Sequence, residues 1–387
     1  MSGLTVARYP ALAAPTTLGP RRLPNRLVHA PMSVGYADER GHATRALREH
    51  YGRRAQGGVG MVITENVAVS PVGRQMARQP MLADESAVAG FALVADEIKR
   101  HGAVAVMQIV HAGRYAGPWE RYEEQRRLAP SPVAFPLPPD RTVTPQQITE
   151  QEIEQSIAAF ARTAALAREA GFDGVEIHGG QGFLIASFQS PRMNRREDRW
   201  GGSFENRCRF AWRVVDAVVA AAGADMIVGF HVMGDELMED GWTAEDALEF
   251  SRGLGARGIH FVMPVCATFE SLRAPHNLGL FDRPMFQHEV ARRLAAELEI
   301  PVITNGGFAD PRDGERVLAA GEAALVGLAR PLFADPDWMR KVQAGAAETV
   351  RRCACDPPEC LHTQLAGSVC TCWPEPVRRA GFLGYGA

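Results

Sequence analysis

The sequence predicts an α/β fold, a (β/α)8 barrel carrying a cysteine-rich extension at its C-terminal end. Three observations lead there. Eight short apolar runs alternate with helix-patterned segments between residues 27 and about 345. The runs are apolar throughout instead of alternating, as parallel strands covered on both faces require. Eight strand–helix units in about 300 residues also suit a closed barrel. A doubly wound sheet would need a phosphate-binding glycine turn between a strand and a helix. The apparent match, "GLGARG" at 253–258, follows a helix and precedes a strand, so it reads as a helix-ending loop.

The strand candidates run in order as "LVHAP" (27–31), "GVGMVITE" (58–65), "AVAVMQIV" (103–110), "FDGVEIH" (172–178), "MIVGFHV" (226–232), "GIHFVMP" (258–264), "IPVITNG" (300–306) and "AALVGLA" (323–329). The clearest helix follows Thr149, where Thr149 and Glu152 form a capping-box pattern. Ile157, Phe160, Ala161 and Ala164 then follow at helical spacing. Residues 114–148 are too long for a plain strand-to-helix loop and hold six prolines between Pro130 and Pro145. They predict an excursion over the barrel mouth, a lid or an interface. The barrel takes residues 1–345 and the extension 346–387.

Composition narrows the partners. Across 387 residues the chain is 46% apolar and 22% charged with a net charge of −3, an ordinary globular balance. That charge gives no reason to expect nucleic acid or an anionic membrane surface. No apolar run approaches the roughly 20 residues that span a bilayer. The N-terminus lacks a basic start followed by an apolar core, so a cytoplasmic location is expected. Five of the seven cysteines fall within residues 353–372. In a reducing compartment such a cluster points to metal binding before disulfides.

In such barrels reactive groups sit at the C-terminal strand ends. Those ends read Pro31-Met32-Ser33, Glu65, Gln108 to His111, His178, His231, Pro264 to Cys266, Gly306-Gly307 and Ala329-Arg330. Any one polar tip could be merely solvated, but the set as a whole points to a site. "NGGFADP" (305–311) and "GLARP" (327–331) follow strands seven and eight, where these barrels commonly hold a phosphate. Arg330 would add a charge-assisted contact. After strand four, His178 and Gln181 could both aim hydrogen-bond donors at one oxygen above a flat cofactor. Taken singly, His178 could instead be a satisfied core histidine and Gln181 a loop amide. "RRED", "WGG" and "ENR" read as a charge-locked loop that positions the pair.

The stretch "HGGQGFLIASFQSPRMNRREDRWGGSFENRCRF" (178–210) resembles the signature of the old yellow enzyme family of FMN-dependent oxidoreductases. "LPNRLVHAPM", "EHYGRRAQGGVGMVITE", "MQIVHAGR" and "ITNGGFADP" are similar to it too, over roughly residues 20–345. The cysteine tail resembles the iron–sulfur segment of the 2,4-dienoyl-CoA reductase and trimethylamine dehydrogenase branch. The resemblance implies that Pro31, Met32 and Ser33 line the flavin ring and Gln108 bonds its pyrimidine edge. Gly306, Gly307, Ala329 and Arg330 would hold the FMN phosphate, with Glu65 among the cofactor-binding strand ends. It further implies that His178 and Gln181 grip a substrate carbonyl oxygen while hydride reaches the β-carbon of an α,β-unsaturated carbonyl. Two fixed donors would then stabilise charge that develops in the transition state.

Three positions depart from the family pattern. Phe183 stands where ene-reductases carry a proton-donating tyrosine, and phenylalanine has no proton to give. His231 replaces an arginine beside the flavin; histidine titrates near neutrality, whereas arginine stays charged. The cysteine spacing is altered at its front, giving the ligand set Cys353, Cys355, Cys360 and Cys372 with Cys370 spare. Four thiolates suit a [4Fe–4S] cluster or a zinc ion, and the redox setting favours the cluster. Cys208 is expected to be packing, and Cys266 to face the substrate.

No strand–GxGxxG–helix unit occurs in the chain. A cluster would therefore pass electrons to a separate FAD/NAD(P)H flavoprotein or a ferredoxin, and a homo-oligomer is expected. The leading activity is ene reduction, or the reverse desaturation, of a small molecule. Amine dehydrogenation or oxidative N-demethylation is the alternative, since it tolerates Phe183. A flavin-binding electron-transfer subunit without catalysis is the alternative from another class.

Overall fold

The computed structural model describes residues 8–117, 126–137, 141–280, 283–353, 359–364 and 367–379. Its centre is a barrel of eight parallel strands: β1 (Leu27–His29), β2 (Met61–Ile63), β3 (Val104–Val110), β4 (Gly174–Gly179), β5 (Ile227–Asp235), β6 (Phe261–Cys266), β7 (Ile303–Asn305) and β8 (Leu325–Leu328). Each lies within, or within three residues of, one of the eight apolar runs. The helices that follow them are α1 (Arg45–Gln56), α2 (Val88–Lys99), α3 (Glu150–Glu169), α4 (Phe204–Ala222), α5 (Ala244–Arg252), α6 (His288–Glu297), α7 (Pro311–Ala319) and α8 (Arg330–Ala334).

Parallel ladders join every neighbouring pair except one. Between β6 and β7 the sheet closes through a single bridge, Val262 to Val302. Side-chain amides take over there. Gln287 accepts from the backbone N–H of Cys266 at 3.0 Å and donates to Asn305, and Asn305 donates to the carbonyl of Pro264 at 2.8 Å.

The two-residue period of a strand sorts the side chains. Val28, Met61, Ile63, Val104, Val106, Ile227, Phe261, Met263, Ile303 and Leu325 share one buried cluster, the barrel interior. Leu18 and Leu23, from an N-terminal hairpin (Thr16–Leu18 with Arg21–Leu23), join that cluster and plug its lower end. The alternate positions, such as Val62, Met107, Val175, Val228 and Val326, belong to the larger cluster between sheet and helices. Continuing the inward register upward brings Gln108, Glu176, His178, His231, Val265 and Ala329 to the mouth.

Local signals behave as physics asks. Thr149 and Glu152 form the expected reciprocal capping box. Gly253 ends α5 and Gly258 adopts φ +84°, so "GLGARG" is a helix-ending turn ahead of β6. The loop 190–203 is locked by charge: Arg196 reaches the carbonyls of Pro130 and Ile148 at 3.2 and 2.9 Å and pairs with Asp198. Asn194 ties the carbonyls of Phe188 and Trp200, and Arg207 those of Gln189 and Gly202. The described part of the proline-rich excursion forms a short hairpin (Phe135–Leu137 with Arg141–Val143) and a parallel pair (Leu128–Ala129 with Gln146–Gln147). Phe135 packs against Tyr115 and Phe183.

The cysteine-rich segment docks on the loop after β1. Ser368 N–H donates to the Val34 carbonyl at 2.8 Å, and the Tyr36 hydroxyl donates to the Ser368 carbonyl. The indole N–H of Trp373 donates to the Phe333 carbonyl at 2.7 Å. Gly35 has φ +66°, and a Cβ there would overlap the backbone oxygen of Gln364. No helix among the described residues is long and apolar enough to cross a membrane.

Candidate active site

Two polar layers cap the barrel interior. In the lower one, Gln108 of β3 and Glu176 of β4 are register partners, and the Gln108 amide donates to Glu176 at 2.7 Å. The same amide nitrogen lies 3.0 Å from Nδ1 of His231, which is 3.4 Å from the Glu176 carboxylate. Glu176 Oε1 and His231 Nε2 are buried without a hydrogen-bond partner among the described residues. Buried polar atoms are rarely left so. A ligand edge that offers both donors and acceptors suits this ring.

The upper layer is His178 beside His231, paired in register, their rings stacked at 4.9 Å. Burial first, then the His231 ring, holds the His178 imidazole far below its ordinary pKa, so it is neutral. Its Nδ1 accepts the backbone N–H of Gly180 at 3.2 Å. The proton therefore sits on Nε2, which is the donor nitrogen. Gln181 follows in a left-handed conformation, φ +56°, and its side chain is hydrogen-bonded to His178. A non-glycine residue held there marks a local constraint of a kind that clusters at functional sites. His111, just after β3, repeats the device: its Nδ1 accepts Gly113 N–H at 3.1 Å, and burial lowers its pKa to about 4.

Around this centre the other expected residues fall as follows. Pro31, Met32 and Ser33 follow β1, and Ser33 Oγ donates to Asn66 at 3.2 Å. Glu65 lies behind them, with its carboxylate accepting the backbone N–H of Val34 at 3.1 Å and of Gly35 at 3.5 Å. It thereby holds the loop that carries Ser33. Gly306 and Gly307 have φ +81° and +79° and turn the chain after β7. Ala329 begins α8 with no side-chain cap, leaving first-turn N–H groups for an anion. Arg330 is exposed and makes no ion pair among the described residues. An oxyanion fits between these two strand ends.

Phe183 is buried, edge-on to His178 at 4.8 Å. Cys208 is buried in the helix–sheet core, its pKa pushed up to about 12 by burial, in keeping with a packing role. At the end of β6 the inward position is Val265, whereas Cys266 lies against Gly234 of β5. The expectation that Cys266 faces the substrate is corrected by that register. Residues the sequence reading did not single out also gather here. Glu176 sits in the polar ring, and Tyr115, Glu270, Arg192 and Glu236 form a buried charged chain beyond Phe183.

In the extension, Cys360 and Cys370 are buried near Tyr36, and Cys353 and Cys372 are half-buried. Cys355 lies outside the described residues. Among the described residues no three Cys, His, Asp or Glu side chains gather as a metal site. The described cysteines do not by themselves form the four-thiolate set.

A barrel with a polar ring at its mouth and a glycine–arginine turn after its last strands has the form of an enzyme barrel that takes a phosphate-bearing ligand. The family described as NADH:flavin oxidoreductase / NADH oxidase matches residues 11–349, and the chain belongs to it. It is 36% identical to an NADH oxidase from Thermoanaerobacter brockii over 349 residues, 90% of this chain and 53% of that protein. Its structure resembles a 2-naphthoyl-CoA reductase in complex with 2-naphthoyl-CoA, with TM-score 0.86 and 27% identity over 94% of this chain and 56% of the other. It also resembles histamine dehydrogenase from Rhizobium sp. 4-9, with TM-score 0.82 and 27% identity over 95% and 52%. The chain thus spans about half the length of each of these three proteins.

Proposed function

We propose that the protein is an FMN-dependent oxidoreductase that reduces, or in reverse introduces, a C=C bond conjugated to a carbonyl. The observation that carries this reading is the neutral His178, whose Nδ1 accepts Gly180 N–H, so that its donor proton sits on Nε2 beside the Gln181 side chain. A neutral donor beside Gln181 suits an oxygen that gains charge only as the reaction proceeds. FMN fits the orphaned polar atoms of Glu176 and His231 and the oxyanion turn at Gly306, Gly307, Ala329 and Arg330. Gln108 and His231 would bond its pyrimidine edge, and Pro31, Met32 and Ser33 would line its ring on a loop held by Glu65. Bound there, FMN supplies the hydride chemistry. His178 and Gln181 orient the substrate carbonyl and stabilise its developing charge. The likeness to a 2-naphthoyl-CoA reductase supports a carbonyl-conjugated substrate.

The test uses anaerobic protein loaded with FMN. Reoxidation of the pre-reduced protein by an enone or enoyl thioester is the expected result. Bleaching of the oxidised protein by an amine, with no response to enones, would replace this reading with amine dehydrogenation. The likeness to a histamine dehydrogenase and the presence of Phe183 favour that second reading.

The finer proposal is that the cysteine segment holds a [4Fe–4S] cluster and exchanges electrons with a flavoprotein or ferredoxin. Its support is the five cysteines in twenty residues and their docking on the loop that carries Ser33. Iron and zinc analysis of anaerobically purified protein checks it: zinc in place of iron, or neither metal, removes the cluster. Transfer to a ferredoxin should be lost in Cys360→Ser.

A further inference from the structure

Ene reduction ends with a proton on the α-carbon, and Phe183 cannot supply it. We propose that Tyr115 is that proton donor; the assignment rests on the ene-reduction reading. Tyr115 closes the turn Gly113–Tyr115 after β3. Its ring meets Phe183 edge-to-face at 6.1 Å, so Phe183 touches Tyr115 on one side and His178 on the other. A Cβ built on Gly182 would lie 3.2 Å from the Tyr115 hydroxyl. The phenol oxygen therefore reaches the same turn that carries Gln181.

The surroundings hold this phenol in its protonated form and set two arginines behind the carboxylate that it meets. Its hydroxyl donates to Glu270 at 3.1 Å. Glu270 is held by Arg114 at 3.1 Å and by Arg192 at 3.1 Å, and Arg192 continues to Glu236 at 2.9 Å. Arg114 is almost wholly buried, with 1% of its side chain exposed, so its charge is little screened. Burial, then the Glu270 carboxylate, raises the phenol above its ordinary pKa, which keeps it protonated near neutrality. Of the rings that surround Phe183, those of Tyr115, His178 and Phe269, Tyr115 offers the one O–H. The His178 N–H is assigned to the carbonyl.

The chemistry balances. Hydride added at the β-carbon leaves an electron pair shared between the α-carbon and the carbonyl oxygen. That pair forms the α-carbon–hydrogen bond with the Tyr115 proton, and the phenolic O–H bond breaks. The tyrosinate stands beside Arg114 and Arg192 and takes a proton from water, restoring the phenol.

The experiment follows reoxidation of pre-reduced, FMN-loaded protein by 2-cyclohexenone. Tyr115→Phe should slow this step by about 10²-fold or more, with FMN content and reduction by dithionite unchanged. Adding Phe183→Tyr to that variant should recover the rate. Equal rates in wild type and Tyr115→Phe would overturn the assignment and leave ene reduction standing. Slow reoxidation that Phe183→Tyr does not rescue, with FMN content lowered, would make Tyr115 structural and overturn it as well. A wild type that no enone reoxidises removes the ene-reduction reading, and this assignment with it.

Discussion

His178 and His231 face each other across β4 and β5 as register partners, with their rings stacked 4.9 Å apart. Two buried imidazoles in contact cannot both carry charge cheaply, and burial keeps His178 neutral. The mouth thus presents a fixed neutral imidazole, set by strand register.

Replacing His178 with alanine should lower turnover with an enone by about 10²–10³-fold. FMN affinity, followed by fluorescence quenching, should change little. A parallel loss of both would place His178 in cofactor binding.

Glu65 gives a pH signature. Burial outweighs the N–H groups of Val34 and Gly35 and raises its carboxyl to about 8, from an ordinary 4.5. The folded chain therefore keeps a proton that the unfolded chain releases between about pH 4.5 and 8. This group's contribution to stability is full below that window and is lost as pH rises through it. Urea midpoints at pH 5 and pH 8 should differ less in Glu65→Gln than in wild type, and an equal difference would put the titration elsewhere.

Gly35→Ala should cost at least about 2 kcal/mol. The new Cβ meets the Gln364 backbone at a left-handed position, so strain and overlap add. Limited proteolysis should then cut the extension before the barrel. A resistant extension would show that the docked loop can yield.

Arg330→Gln should weaken FMN binding by about 10–100-fold, the worth of one charge-assisted hydrogen bond of roughly 1.5–3 kcal/mol. Far-ultraviolet circular dichroism should not change, because Arg330 is exposed and makes no ion pair among the described residues.

Much of this was legible in the sequence. The eight strands show because each is apolar on both faces, and the period of two then aims Gln108, His178 and His231 inward. The loop 190–203 shows because its arginines and asparagine have few roles other than tying backbone carbonyls. What stayed hidden is long-range. Tyr115 meets Glu270 from 155 residues away, and no local pattern announces it. Glu65 looks like a mouth residue by position, yet the loop after β1 folds back to take its carboxylate. Cys370 shares the Tyr36 neighbourhood with Cys360 through the turn of the extension, which spacing alone does not fix.

The amides of Gln287 and Asn305 stand in for a ladder between β6 and β7. A ring stitched at that point mainly by side chains has a joint where the wall can part at the cost of one main-chain bridge, Val262 to Val302. The chain between those strands can lengthen, shorten or be rebuilt while the other seven seams stay fixed. That joint borders the glycine turn at Gly306, so one wall of the mouth can be re-tailored to a new substrate while the rest keeps its grip.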